Sequence, residues 1–239
     1  MAHIDGQHTV CGYNRVGRVL PNVSWQTALS LLQKARSVLL EPEGNNALPR
    51  YIAFLRAINV GGHTVKMDRL RELFEALGFA QVETFIASGN VVFSTTPQSP
   101  AELEARIASG LRAALGYDVA TFIRTDAELA RIAAHRPFPP HELAAAQARN
   151  IAFLAQPLDA SAVQKVLGLK SDIDDFAVHE REIYWLCRKK QSESTFSNIV
   201  LEKTLRVQVT FRGANTVNKM AAKYAAHITS PNDLSQRTA

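Results

Sequence analysis

The run Ile52-Ala53-Phe54-Leu55 returns as Ile151-Ala152-Phe153-Leu154, and the pattern downstream of each copy decides the fold. The first copy lies in YIAFLRAI, apolar on both faces, which suits a strand in a sheet covered on both sides. Met67, Leu70, Phe74 and Leu77 then recur at helical spacing, and Gly78 stands where a helix ends. VETFIA and NVVFST read as two strands joined tightly through Ser88-Gly89. In SPAELEARIASGLRAALG, Ser99 is the N-cap, Pro100 the first helical residue and Glu102 the partner in a capping box. Leu103, Ile107, Leu111 and Leu115 form its apolar stripe. DVATFIR is a fourth strand, and TDAELARIAAH a helix opened by a second box, Thr125 with Glu128.

After the second copy the order recurs. NIAFLA is a strand, DASAVQKVLG a helix capped by Asp159, and DDFAVHE with EIYWLCR a hairpin. STFSNIVLEKTL is a helix, VQVTFR a strand and NTVNKMAAKYAAHI a closing helix. With Arg124 aligned to Arg212, Leu129 meets Val217 and Ile132 meets Met220. Each half therefore reads as one split β-α-β unit, β-α-β-β-α-β, followed by a helix. The fold class is α+β, a ferredoxin-like plan used twice. The expected organisation is an N-terminal extension (1–47), a first half (48–134), a connection (135–148), a second half (149–228) and a flexible tail (229–239). Within the extension one helix is expected from about Ser24 to Leu40, followed by the linker EPEGNNALP. The extension reads as an addition to the domain, one that a misplaced start site would produce.

Composition sets bounds on function. The chain has 239 residues, 46% hydrophobic and 21% charged, with net charge +5, ordinary for a globular protein. Such an excess, with a pI near 9.4, permits an anionic partner without demanding one. The two cysteines, Cys11 and Cys187, have no metal or redox spacing, so a reducing, cytoplasmic setting is expected. No apolar run approaches ~20 residues, so no membrane-spanning helix is expected, and no secretory signal pattern opens the chain.

The split β-α-β plan brings the end of the first strand and the turn between strands 2 and 3 to one sheet end. Asn59, Gly61 and Gly62 should therefore neighbour Ser88, Gly89 and Asn90, with Arg56 and Lys66 close by. Backbone N–H groups, amides and cations in that grouping suit an anion. Glycine and asparagine also simply make turns. No Walker A loop or Rossmann fingerprint is present. A second polar cluster gathers Ser194, Asn198, Arg212, Asn215, Thr216 and Lys219, with Arg188, Lys189 and Lys190. It reads either as an anion or nucleic-acid footprint or as a solvated basic loop followed by capping residues.

No nucleophile elbow occurs, no pair of carboxylates stands out, and the seven histidines show no metal spacing. His63 is the one histidine beside a candidate site, where it is a general base or a solvated loop residue. Whether the protein is an enzyme stays open, and no cofactor or metal is expected. Tyr184 and Trp185 fall on opposite faces of their strand, one expected in the core and one at the surface. The aromatic pattern of RNA-recognition sheets is missing.

FLRAINVGGHTVKM, LRELFEALGF, TFIASGNVVFS, LEARI and NTVNKMAA together resemble a bacterial family catalogued as domain of unknown function 1697. The resemblance runs from about Pro49 to Ala226. It implies an α+β fold of duplicated ferredoxin-like halves and no established activity. The positions it carries over are Arg56, Asn59, Gly61, Gly62, Ser88, Gly89 and Asn90, then Ser194, Asn198, Arg212, Asn215, Thr216 and Lys219. The chain departs from the family pattern at STFSN, where Thr195 replaces a lysine, and at RGANT, where Gly213 and Ala214 replace a polar residue and an aromatic. The leading expectation is a small phosphate-bearing or otherwise anionic ligand at the two glycine-asparagine turns. The alternatives are weak nucleic-acid binding through the basic loops and a protein-interaction or homodimer module. The oligomeric state is not legible.

Overall fold

The computed structural model describes residues 48–59, 62, 64–86 and 89–225, all within the second of the two units, Leu48–Ala239, into which the chain divides. The expected N-terminal helix, the tail, and site residues Gly61, His63 and Ser88 lie outside the described residues.

The first half runs β1 (Arg50–Leu55), α1 (Met67–Ala76), β2 (Ala80–Thr84), β3 (Asn90–Ser94), α2 (Pro100–Leu115), β4 (Thr121–Thr125) and α3 (Asp126–Ala134). The second runs β5 (Ala148–Phe153), α5 (Ala160–Leu167), β6 (Asp174–His179), β7 (Glu182–Cys187), α6 (Asn198–Leu205), β8 (Thr210–Gly213) and α7 (Ala214–Tyr224). The sheets have the order β2-β3-β1-β4 and β6-β7-β5-β8, the same arrangement twice, with every strand pair antiparallel. The connection between the halves is not plain loop: it holds α4 (Pro140–Ala145).

Local signals placed the helices. Both capping boxes form, Ser99 with Glu102 and Thr125 with Glu128, and Asp159 accepts from the Ala162 N–H at 2.7 Å. Such caps are worth about 1 kcal/mol each. Glu104 protects a sheet edge, since its carboxylate accepts the Ile123 N–H of edge strand β4 at 2.9 Å.

Strand alternation then sorts side chains into three clusters among the described residues. Tyr51, Ala53 and Leu55 face α1 and α2, alongside Phe74, Ile107 and Leu111. Ala152, Ile183 and Trp185 face α5 and α6, alongside Val166 and Leu201. Between the two sheets lie Ile52, Phe54, Ile151 and Phe153 with Leu129 and Ile132 of α3 and Val217 and Met220 of α7. Those are the residues that the internal repeat shares. Phe54 stacks on Phe153 with centroids 3.9 Å apart and planes at 19°, worth about 1 kcal/mol beyond area burial. The expectation that one of Tyr184 and Trp185 reaches the surface is corrected: both are buried, on opposite faces of β7, in different clusters. The second sheet is covered on both sides, so neither face of β7 meets water.

The halves are also cross-linked by two arginines. Arg124 of β4 bonds Glu182 at 2.6 Å, with both side chains 1% exposed, and donates to the Leu154 and Arg181 carbonyls at 2.8 and 3.1 Å. Arg212 of β8 does the reciprocal thing, donating to the Leu55 and Gly89 carbonyls at 2.8 and 3.2 Å and to Asn90 Oδ1. Burial pushes the Glu182 carboxyl up and the Arg124 guanidinium down, each opposed by the other's charge. Arg124→Met leaves a buried carboxylate unpaired and should cost about 3–5 kcal/mol. Urea denaturation measures it, and adding Glu182→Gln should recover part of the loss.

Candidate functional site

At the end of the first sheet, β1 stops at Leu55, whose N–H donates to the Gly89 carbonyl at 2.8 Å, while Phe54 pairs in register with Asn90. The β1–α1 loop and the β2–β3 turn are therefore side by side. The loop is closed by its own Asn59, whose Oδ1 accepts the Val65 N–H at 2.8 Å, and is tied down from beyond α2 by the Tyr117 hydroxyl, which donates to the Ile58 carbonyl at 3.0 Å. Exposed Asn59 thus uses its oxygen to hold the loop, and its Nδ2 has no hydrogen-bond partner among the described residues. Exposed Lys66 sits at the N-cap position of α1, makes no cap bond and has no ion pair among the described residues.

Two glycines there have different reasons. Gly62 takes φ +85° with open space around its α-carbon, a turn requirement. Gly89 takes φ +69°, and a Cβ added to it would lie 2.8 Å from Ile58 Cγ2 and 3.2 Å from Leu55 Cβ. Close packing between loop and turn, as well as the left-handed backbone, demands glycine. Gly89→Ala should destabilise by about 1–3 kcal/mol, read as a lowered urea midpoint, with Gly62→Ala costing less.

Arg56 and Asn90 are engaged elsewhere. Arg56 makes a bidentate pair with Glu202 of α6, both bonds 2.7 Å, so its charge is matched within the protein. Asn90 is fully buried; its Nδ2 donates to the Phe85 carbonyl at 3.0 Å and its Oδ1 receives Arg212. The residue pattern alone puts Arg212 in the second cluster. Its guanidinium instead reaches into the first site from behind, through Leu55, Gly89 and Asn90. Its remaining N–H groups go to Thr210 Oγ1 at 2.8 Å and the Phe211 carbonyl at 2.7 Å. No carboxylate pairs with it among the described residues, and burial lowers its pKa to about 10.

The rest of the second cluster divides. Cys187, where β7 ends, lies opposite Ala148, and Gly213, where β8 ends, lies opposite Asn150, so the two loops do share a sheet end. Ser194 Oγ donates to Asp174 at 2.8 Å and accepts the Phe196 N–H at 2.9 Å. Asp174 also takes the Trp185 indole N–H at 2.8 Å and Ser171 Oγ at 3.1 Å, making a buried carboxylate anchor that sequence patterning did not reveal. Arg188 pairs with Glu142 and Asp175 at 3.2 and 3.3 Å. Asn198 opens α6 behind the N-cap Ser197, with its Oδ1 buried and unbonded among the described residues. Asn215, Thr216 and Lys219 lie in the first two turns of α7, with Asn215 and Lys219 exposed.

His135, the C-cap of α3, stacks on His179 with centroids 4.1 Å apart and planes at 9°, a pairing no local motif announces. Burial, His179 and Arg136 hold His135 below the ordinary histidine range, against an opposing pull from Glu180. The unfolded chain therefore binds its proton more readily. The stability owed to neutral His135 should be complete above the ordinary pKa of about 6.5 and be lost as pH falls from there through the lower folded value. Melting curves from pH 8 to 5 should show this, with a shallower decline in His135→Gln. Among the described residues no group of three or more potential metal ligands forms, and no helix is long and apolar enough to cross a membrane.

Comparison with known proteins places this architecture. A conserved bacterial protein from Streptococcus pneumoniae has a similar solved structure, with a TM-score of 0.62 at 22% identity over 74% of this chain and 99% of that one. That likeness concerns the fold. No curated protein matches. The family described as Protein of unknown function (DUF1697) matches residues 48–184. With the repeated split β-α-β halves and the paired turns in place, the chain belongs to that family.

Proposed function

We propose that the protein binds a small phosphate-bearing or otherwise anionic ligand at the β1–α1 loop and the β2–β3 turn, in a cytoplasmic setting. The observation that carries this reading is Arg212. A buried guanidinium without a carboxylate is costly unless something answers its charge. Its five N–H groups are satisfied by neutral oxygens, so the hydrogen bonds are met while the charge persists. That charge lies behind the β1 end and the β2–β3 turn, whose Leu55 and Gly89 carbonyls it holds. There Lys66, Asn59 Nδ2 and the uncapped first turn of α1 offer further donors. Arg56, matched by Glu202, serves as scaffold in this reading. Pairing of Arg188 with Glu142 and Asp175 leaves fewer free cations in the second cluster, which favours a small anion over a polyanion.

The test is thermal unfolding of the full chain with inorganic phosphate, sugar phosphates, nucleotides and a short single-stranded oligonucleotide, at low and moderate salt. A phosphate-bearing small molecule at about 100 times its Kd should stabilise by about 2.7 kcal/mol. Lys66→Ala and Asn59→Ala should weaken that effect. If no small anion raises the melting temperature, the reading is wrong. Stabilisation by the oligonucleotide alone, lost with salt, would replace it with polyanion binding.

A further inference from the structure

A cleft of about 80 Å³ lies between the C-terminal end of α3, the start of β5 and the first turns of α7. We infer that it binds a small organic acid, with the carboxylate between Arg136 and Arg149 and the apolar body against Phe138, Leu143 and Ile151. This site is separate from the loop site above and does not rest on it.

The charge argument comes first. Among the described residues the cleft lining contains two arginines and a histidine, and no aspartate or glutamate. The Arg149 side chain is exposed and makes no ion pair or hydrogen bond among the described residues. The internal repeat explains why. Its counterpart in the first half is Arg50, which donates to the Tyr224 carbonyl at the end of α7, at 3.0 Å. The aligned acceptor just past α3 is the Arg136 carbonyl, to which Arg149 makes no hydrogen bond; the Arg136 side chain itself is held there, its Nη1 donating to the Ala133 and His135 carbonyls. The chain then leaves α3 through Pro137 and Phe138, which line the cleft. Symmetry breaks there, and the break leaves Arg149 without its mate beside a second, fixed guanidinium. Two forks without an acid between them match the two oxygens of a carboxylate.

Shape supplies the second argument. The remaining lining is largely apolar, and the Tyr184 hydroxyl is already directed to the Ile132 carbonyl at 3.5 Å. The exposed Asn218 side chain has no hydrogen-bond partner among the described residues, and that of Asn150 has only a long contact to Gln191 at 3.4 Å. The volume holds several waters but is well below that of a pocket for a drug-sized molecule. A compact acid with an apolar body satisfies charge, wall and size together.

The experiment is amide NMR of the full chain titrated with benzoate, benzyl alcohol and inorganic phosphate. Benzoate should give saturable shifts at Arg149, Ala214 and Asn218, stronger than either control. Arg149→Ala should weaken it by about tenfold or more, as loss of a charge-assisted pair implies, while Lys189→Ala should leave it unchanged. Arg149 is exposed, and an otherwise unaltered spectrum confirms that the variant folds. Four results would each overturn the inference: no saturable shift up to about 10 mM benzoate, equal binding of benzyl alcohol, equal binding of phosphate, or unchanged benzoate binding in Arg136→Ala/Arg149→Ala.

Discussion

Each half of this protein inserts one arginine into the other. Arg124 leaves β4 for the β5 end and the β6–β7 turn, and Arg212 leaves β8 for the β1 end and the β2–β3 turn. Each ends on a strand-end carbonyl, of Leu154 or Leu55, and on a turn carbonyl, of Arg181 or Gly89, that also accepts the N–H of that strand end, so one guanidinium ties strand end and turn together. The exchange fixes how the halves pack around Phe54 and Phe153 and holds the turns in place. Any displacement of one half against the other would strand two guanidiniums in an apolar interior.

The exchange is not symmetric in charge, and the difference bears on function. Arg124 meets the carboxylate of Glu182, so that junction is neutral. Arg212 meets the amide of Asn90 at the equivalent place, so that junction keeps a positive charge. The first junction reads as structure alone. The second supports the β1–α1 loop as a place for an anion. The cleft at the end of α3 obeys the same logic, since a position whose mate is satisfied by the repeat is left open where the repeat is broken.

Much of the fold was legible because its signals are local. Ser99 with Glu102, Thr125 with Glu128, and Asp159 announce helix starts within four residues of chain, and the recurrence of IAFL located the second half. The roles of the site residues were less legible. Asn90 reads as a turn residue, yet it opens a central strand and is fully buried. Arg56 reads as a free cation beside a glycine loop, yet Glu202, 146 residues later, neutralises it. The Asp174 anchor collects Ser171, Trp185 and Ser194 from three separate segments, and no spacing marks it.

Chain order therefore accounts for the elements, their duplication and the meeting of the two turns at one sheet end. These arise from periodicity, caps and the antiparallel plan, all of which act over short distances or through topology. Packing of the two sheets against each other decided which polar residues stay open to solvent and which hold the halves together. Alternation along a strand says which face a side chain occupies. It does not say what stands opposite, and for Arg56, Arg124 and Arg212 the partner across that gap determines whether the charge is matched or left to act outward.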